Sequence, residues 1–252
     1  MLAVQNYELV SEWGSIYKNG NKAIKIYHDM TYDYVAEKAR IHSLVYEAGL
    51  PVPAVYGVKK IDGNKIALEM DYIKTEPFMY DDMSEDKREK SLNIMANLQC
   101  TINAVDVNRF ELPKFSKYIT DEIKSTPYLN EQIKDKVIDL LSRLDTGKTN
   151  LCHSDFHAAN ILFDGEKHWV IDWDGASTGD PAADACMTYF YEKRFHPNTA
   201  DIYLCSYCKY SNVRQEDILA WQPVIAAYQA NIKTKEERDF IIDIIEEWYK
   251  SE

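Results

Sequence analysis

His153-Ser154-Asp155-Phe156-His157-Ala158-Ala159-Asn160 is followed closely by Val170-Ile171-Asp172-Trp173-Asp174, and the reading of these two stretches decides the fold. Between them lie an apolar run, Ile161-Leu162-Phe163, then Asp164-Gly165, then a second run, Trp169-Val170-Ile171. Asp-Gly between two strand-like runs signals a hairpin, because both residues tolerate positive φ. A loop over residues 164–167 sets Phe163 opposite His168 and Asn160 opposite Ile171. The open end of that hairpin is then expected to gather Asp155, Asn160 and Asp172. Oxygen-bearing side chains in such a group suit two tasks, activating a hydroxyl and gripping a hard divalent cation.

The pattern His-x-Asp-x-x-x-x-Asn, with an aspartate at a strand end twelve residues on, resembles the kinase catalytic loop and its metal-binding aspartate. His153 to Ala159, Asn160-Ile161-Leu162, Ile171-Asp172-Trp173 and Gly179-Asp180-Pro181-Ala182-Ala183-Asp184 more closely resemble the aminoglycoside phosphotransferase/choline kinase family. The match is dense over residues 151–186, looser over 8–80, and only general beyond about 190. The resemblance implies an α+β, bilobal protein-kinase-like fold, with an N-terminal antiparallel sheet carrying one helix and a mainly helical C-terminal lobe. Residues 1–71 would then form the nucleotide-binding lobe, 72–79 the hinge, and 80–252 the catalytic and substrate-binding lobe.

The resemblance also implies ATP and Mg²⁺, and transfer of the γ-phosphate to a hydroxyl of a small molecule that is aminoglycoside-, choline- or sugar-like. Asp155 would accept or orient the proton of that hydroxyl, and His153 would brace the loop by hydrogen bonding. Asn160 and Asp172 would hold the cation. His157 would either approach the γ-phosphate or simply pack, and Asp174 would either support Asp172 or touch substrate. Asp180 and Asp184 are expected to cap or bond the catalytic segment. Ser154 stands where many relatives carry glycine, so the backbone is expected to take a conformation open to serine.

The start of the chain alternates as strands do, over residues 7–10, 15–17 and 23–27, with Asn19-Gly20 as a hairpin turn. Lys25 lies between Ile24 and Ile26, so its side chain points to the face opposite theirs. Ala23-Ile24-Lys25 resembles the Val-Ala-Ile-Lys strand whose lysine holds the α/β-phosphates. By the same resemblance Gly14 and Ser15 would cover a phosphate, although no full G-x-G-x-x-G is present. Residues 32–49 read as a helix with Val35, Ala39, His42 and Tyr46 in one stripe, stopped by Gly49 before Pro51. By the same resemblance Glu37 on that helix would be the partner of Lys25; otherwise it is an exposed charge next to Lys38 and Arg40. Residues 54–58 and 65–70 read as two further strands. Met70-Asp71-Tyr72-Ile73 would be the hinge, offering main-chain groups to an adenine, with Ile24, Met70 and Leu162 either as apolar walls or as plain core.

Beyond residue 80 the pattern turns helical, with Ser84 placed as a cap and a clean amphipathic helix over 129–144. Residues 199–210, 213–231 and 235–251 read as terminal helices. Asp239, Asp243, Glu246 and Glu247 on the last form an acidic stripe, read as a solvated face or as a receiver of ammonium groups.

A net charge of −12 speaks against a general nucleic-acid or anionic-membrane binder and leans toward a cationic acceptor. No uninterrupted apolar stretch approaches a membrane span, and the opening residues lack a signal-peptide pattern, so a cytoplasmic location is the expectation. Five cysteines at irregular spacing imply no disulfide framework. The oligomeric state is not encoded in any of these features. Three other readings compete. A metallohydrolase would use His153, Asp155, His157, Asp172 and Asp174, but it explains neither Lys25 nor Leu50-Pro51-Val52-Pro53. A silent kinase-fold binding module would be expected to have lost Asp155 or Asp172. An atypical protein kinase is disfavoured because only six residues separate Asp172 from Gly179, too few for a long activation loop.

Overall fold

The computed structural model describes residues 8–11, 15–61, 64–78, 84–108, 110–231 and 234–251. They fall into two compact units, one built from the chain up to residue 79 together with 158–174, the other from 80–157 and 175–252.

The first unit is an antiparallel five-stranded sheet in the order β1-β2-β3-β5-β4, formed by β1 Glu8–Ser11, β2 Ile16–Asn19, β3 Lys22–His28, β4 Val55–Lys60 and β5 Lys65–Asp71. Asn19 pairs with Lys22 across the expected turn, where Gly20 takes φ 65°. Strand β3 is central and alternates as its sequence demands. Ile24 and Ile26 are buried with Ile61 and Ala67 on one face, while Tyr27 packs with Val35, Ala39, Ile66 and Leu68 on the other. That second face carries helix α1, Tyr32–Glu47, capped by Thr31 Oγ1 accepting from the N–H of Tyr34. Its buried residues are Val35, Ala39, Ile41, His42 and Val45. Tyr46, expected in that stripe, is instead half exposed. His42 Nε2 stands 2.7 Å from the carbonyl of Pro53 and ties the helix to the segment entering β4.

The hairpin 158–174 belongs to this unit. Strands β6 Glu76–Pro77, β8 Ile161–Phe163 and β9 His168–Val170 form a second small sheet in the order β6-β8-β9. The Val170 N–H donates to Pro51 O at 2.8 Å, which explains why the hairpin goes with the first unit. The turn is the expected one: Phe163 faces His168, and Asp164 Oδ1 accepts from the N–H groups of Glu166 and Lys167.

The second unit is mainly helical. Helices α2 Glu85–Asn103, α3 Phe115–Ser125 and α4 Glu131–Leu144 precede β7 Asn150–Cys152, which pairs with β10 Ser177–Gly179. Ser84 sits at the N-cap position of α2, but its side chain makes no capping bond. After β10 come α5 Pro181–Phe195, α6 Ala200–Ser211, α7 Gln215–Leu219, α8 Gln222–Tyr228 and α9 Lys235–Ser251. The helix expected over 213–231 is therefore broken. Pro223 near the start of α8 has no N–H to continue the preceding turn, so it opens a new helix. Gly179 is required by packing, since a Cβ there would lie 2.9 Å from Phe115 Cβ. Among the described residues no helix is long and apolar enough to cross a membrane.

Candidate active site

In the first unit, the open end of the hairpin brings Asn160 and Asp172 together, with the Ile171 N–H donating to Asn160 O at 3.0 Å. Asn160 is buried, and the backbone of Asp172 takes φ 63°. Lys25 reaches this end from β3. Its Nζ lies 2.7 Å from Asp172 Oδ1 and 2.8 Å from Asp174 Oδ2. Burial alone would lower the lysine pKa, but the two carboxylates outweigh it and raise it, so the ammonium is firmly charged. Tyr27, two residues on and so on the same face, donates to Asp174 at 2.9 Å. Its own hydroxyl is held protonated by burial first and the nearby Asp174 charge second.

The expected Lys25–Glu37 pair is not formed. Glu37 is exposed and accepts both bonds from Arg40, at 2.8 and 2.6 Å. The reason is helical phase. At about 100° per residue, Glu37 sits roughly 200° around from Val35, just past Ile41 at the outer edge of the buried face. Lys38 lies nearer the middle of that face and donates to the main-chain oxygen of Asp174 at 2.5 Å. Asp174 thus takes the part expected of Glu37 and joins Tyr27, Lys25 and Lys38.

The expected nucleotide contacts divide. Ala23 and Met70 are cross-strand partners and lie on the Lys25 face, whereas Ile24 turns to the opposite core and is no wall. Leu162 is half buried on β8. The N–H groups of Asp71 and Tyr72 are already spent, donating to Ala54 O and Asn21 O at 2.9 Å each. The Asp71 carboxylate likewise accepts from the Ala54 N–H and the Tyr56 hydroxyl. Neither the Asp71 nor the Tyr72 N–H is free to serve as the main-chain donor expected of this segment. Ser15 lies in the turn before β2 at φ 47°, its carbonyl accepting from the Ile26 N–H. Gly14 lies outside the described residues.

In the second unit, the loop after β7 carries His153, Ser154, Asp155 and His157. Asp184, fully buried on α5, fixes the start of this loop. Its carboxylate accepts from the Ser154 N–H at 2.7 Å, the His153 N–H at 3.3 Å, Gln99 at 3.0 Å and Asn103 at 2.9 Å. Asp180 caps α5 through the Ala182 N–H and also takes Lys148 at 3.0 Å. Ser154 does not use a conformation natural to serine. Its φ is 65°, in the left-handed region, and the Asp184 bond together with a 2.8 Å contact to Ser177 Oγ holds it there. His153 is buried with its ring edge-on to Phe156.

Asp155 is partly exposed. Tyr191 on α5 donates to its Oδ1 at 3.0 Å, and His157 Nε2 lies 3.8 Å from Oδ2. Burial would raise the Asp155 carboxyl, but the hydrogen bonding and charge of His157, the charge of His153 and the Tyr191 bond together lower it, so it is ionised at neutral pH. The ring of His157 packs edge-on against Tyr191, with centroids 5.7 Å apart. Tyr27, Lys38 and Tyr191 were not singled out from the sequence. The first two could have been read from strand and helix phase, whereas Tyr191 lies 36 residues from Asp155 and carries no local signal.

The acidic stripe on α9 is a solvated face served by its own helix: Lys235 pairs with Asp239 and Lys250 with Glu246. The five cysteines are free.

Asn160 and Asp172 offer oxygen donors only, the chemistry Mg²⁺ prefers, and the Asp172 carboxylate already faces a cation in the Lys25 ammonium. Among the described residues no three His, Cys, Asp or Glu side chains form a ready metal cage. A cation here would complete its shell with waters and phosphate oxygens, as Mg²⁺ commonly does.

Several solved structures share this fold. An aminoglycoside-3'-phosphotransferase of type VIII matches over 90% of this chain and 92% of its own, at 17% identity and a TM-score of 0.64. Choline kinase LicA from Streptococcus pneumoniae matches over 98% and 94%, at 17% identity and a TM-score of 0.66. Amicoumacin kinase hAmiN, solved in complex with AMP-PNP, Ca²⁺ and Ami, matches over 97% and 88%, at 13% identity and a TM-score of 0.67. No curated protein matches the chain by sequence. The model of the APH group, the phosphotransferase enzyme family, matches residues 16–221, and the chain belongs to that family.

Proposed function

We propose that the protein is an ATP-dependent, Mg²⁺-requiring phosphotransferase that moves the γ-phosphate to a hydroxyl of a small molecule. The observation that carries this reading is Lys25, a largely buried ammonium bonded to the aspartate at the end of the Asn160–Asp172 hairpin. A buried lysine held against a carboxylate is poised to exchange that partner for a phosphate oxygen, since both are anionic acceptors. Family membership and the ATP-analogue complex of hAmiN support the same direction.

Phosphoryl transfer asks a protein for positioning and charge neutralisation more than for covalent chemistry. Lys25 neutralises phosphate charge, and Asp174 with Tyr27 keeps it in place. Asn160 and Asp172 would hold the Mg²⁺. Mg²⁺, when bound, supplies charge neutralisation to the phosphate oxygens. Asp155 orients the acceptor hydroxyl. An ionised carboxylate is a weak base toward an alcohol, so Asp155 aims the oxygen lone pair and takes the proton late. His153 braces the loop, and His157 packs on Tyr191 beside Asp155. The likeness to an aminoglycoside phosphotransferase and a choline kinase supports an aminoglycoside-, choline- or sugar-like acceptor, and the net charge of −12 favours a cationic one.

The test is turnover of Mg²⁺-ATP against a panel of aminoglycosides, choline, sugars and a protein substrate. At least one small hydroxylated acceptor is expected to be phosphorylated, and Asp155→Ala should lower that rate by about 10²–10⁴-fold. Phosphorylation of protein alone, or unchanged turnover in the variant, would refute the reading.

A further inference from the structure

We propose that Tyr191 is a positioning residue for Asp155, and that Gln229 sets the direction of its hydroxyl. This rests on the reading of Asp155 above and extends it to two residues that carry no chemistry themselves. Tyr191 sits near the end of α5, and Gln229 opens the short 3-10 turn Gln229–Asn231 that follows α8. Gln229 Nε2 donates to the Tyr191 hydroxyl at 3.2 Å, and that hydroxyl donates to Asp155 Oδ1 at 3.0 Å. A phenol has one proton to give. With the amide N–H on its oxygen, that proton is directed at Asp155 and nowhere else. Gln229 Nε2 also lies 3.4 Å from Met187 Sδ, a second contact that orients the amide.

The consequence lies in the torsion of the carboxylate. The χ2 angle of an aspartate is broad, so an unrestrained Asp155 would present its lone pairs over a wide arc. Here the two oxygens have different neighbours, Tyr191 at Oδ1 and His157 near Oδ2, and the ring of His157 is itself packed against Tyr191. Tyr191 therefore steers the carboxylate both directly and through the histidine. Burial first, and the Asp155 charge second, keep the Tyr191 hydroxyl protonated, so it remains a donor throughout the working range. The titratable and charged groups around the pair are His153 and His157 from the loop, Arg194 from α5 and Tyr228 from α8.

The experiment uses the full chain with Tyr191→Phe and Gln229→Leu, each checked for an unchanged cooperative melt. Carboxyl-¹³C NMR follows Asp155, its resonance assigned by loss in Asp155→Asn. The Asp155 titration should move upward in Tyr191→Phe, and by less in Gln229→Leu. In Mg²⁺-ATP hydrolysis with water as acceptor, kcat should fall about three- to tenfold in Tyr191→Phe while KM for ATP holds. An unmoved Asp155 titration, or a fall in kcat matched by a rise in KM for ATP, overturns the proposal. If Tyr191→Phe does not fold, Gln229→Leu carries the test, and an unmoved titration there overturns it equally. Asp155→Asn with wild-type hydrolysis would instead refute the role of Asp155, while the NMR arm still decides whether Tyr191 governs that carboxylate.

Discussion

Ser154 shows most directly how a single residue carries strain for the sake of the site. A side chain at φ 65° costs about 1–2 kcal/mol relative to ordinary backbone. The Ser154 N–H bond to buried Asp184 and the Oγ contact to Ser177 hold it against that cost. Ser154→Gly relieves the strain and loses one hydroxyl bond, two effects of about 1 kcal/mol each, so its stability should stay within about 0.5 kcal/mol of wild type. Ser154→Ala keeps the strain and loses the bond, and should be less stable by about 1–2 kcal/mol. Urea unfolding separates these outcomes, and a glycine variant weaker than the alanine variant would contradict the account. The sequence exposed this position by its departure from glycine in relatives, but not its direction. Whether serine adopts a different backbone or is forced into the glycine one depends on Asp184, thirty residues away.

At the scale of elements, phase decided what could be foreseen. The alternation of β3 placed Lys25 opposite Ile24 and Ile26, and the structure keeps it there. The same alternation excludes Ile24 as a wall beside Lys25. The Asp164-Gly165 turn set the hairpin register, and with it the backbone pairing of Asn160 with Ile171, next to Asp172. Helix α1 was legible as a helix, but the partner of Lys25 was not, because an expected glutamate was favoured over the angle it makes with the buried stripe. Glu37→Ala should therefore cost no more than about 0.5 kcal/mol, the worth of an exposed i,i+3 pair. Its KM for ATP should stay within about twofold of wild type. A large rise in KM would show that Glu37 reaches Lys25 after all. Residues 70–73 were expected to offer main-chain groups, but the commitment of the Asp71 and Tyr72 N–H groups to Ala54 and Asn21 is a tertiary fact that no local pattern reveals.

For the molecule as a whole, the charge balance predicts how stability follows pH. His42 and His168 have lowered pKa values, burial being the leading cause in each. Below the ordinary histidine value near 6.5, the unfolded chain takes up protons that these folded side chains resist, so stability falls as pH drops. Carboxylates act in the same direction further down. Hydrogen bonds from Lys167, Trp169 and Glu166 hold Asp164 at about 2, so its contribution is present above the usual carboxylate value and is lost as pH falls toward 2. Urea midpoints should decline from pH 7 to pH 5, and His42→Gln, which keeps a donor for Pro53 O, should flatten that decline. A midpoint constant over this interval, or a slope unchanged in the variant, would contradict the assignment.

In the proposed function the two aspartates divide the work, Asp172 toward the cation and Asp155 toward the acceptor. Calorimetric titration of AMP-PNP, with and without Mg²⁺, into wild type, Asp155→Ala and Asp172→Ala tests it most directly. The account predicts that Asp155→Ala keeps the Mg²⁺-dependent gain in affinity, and that Asp172→Ala loses about tenfold or more of it, equivalent to about 1.4 kcal/mol. An Asp172→Ala protein that still binds the magnesium nucleotide as tightly as wild type would contradict it.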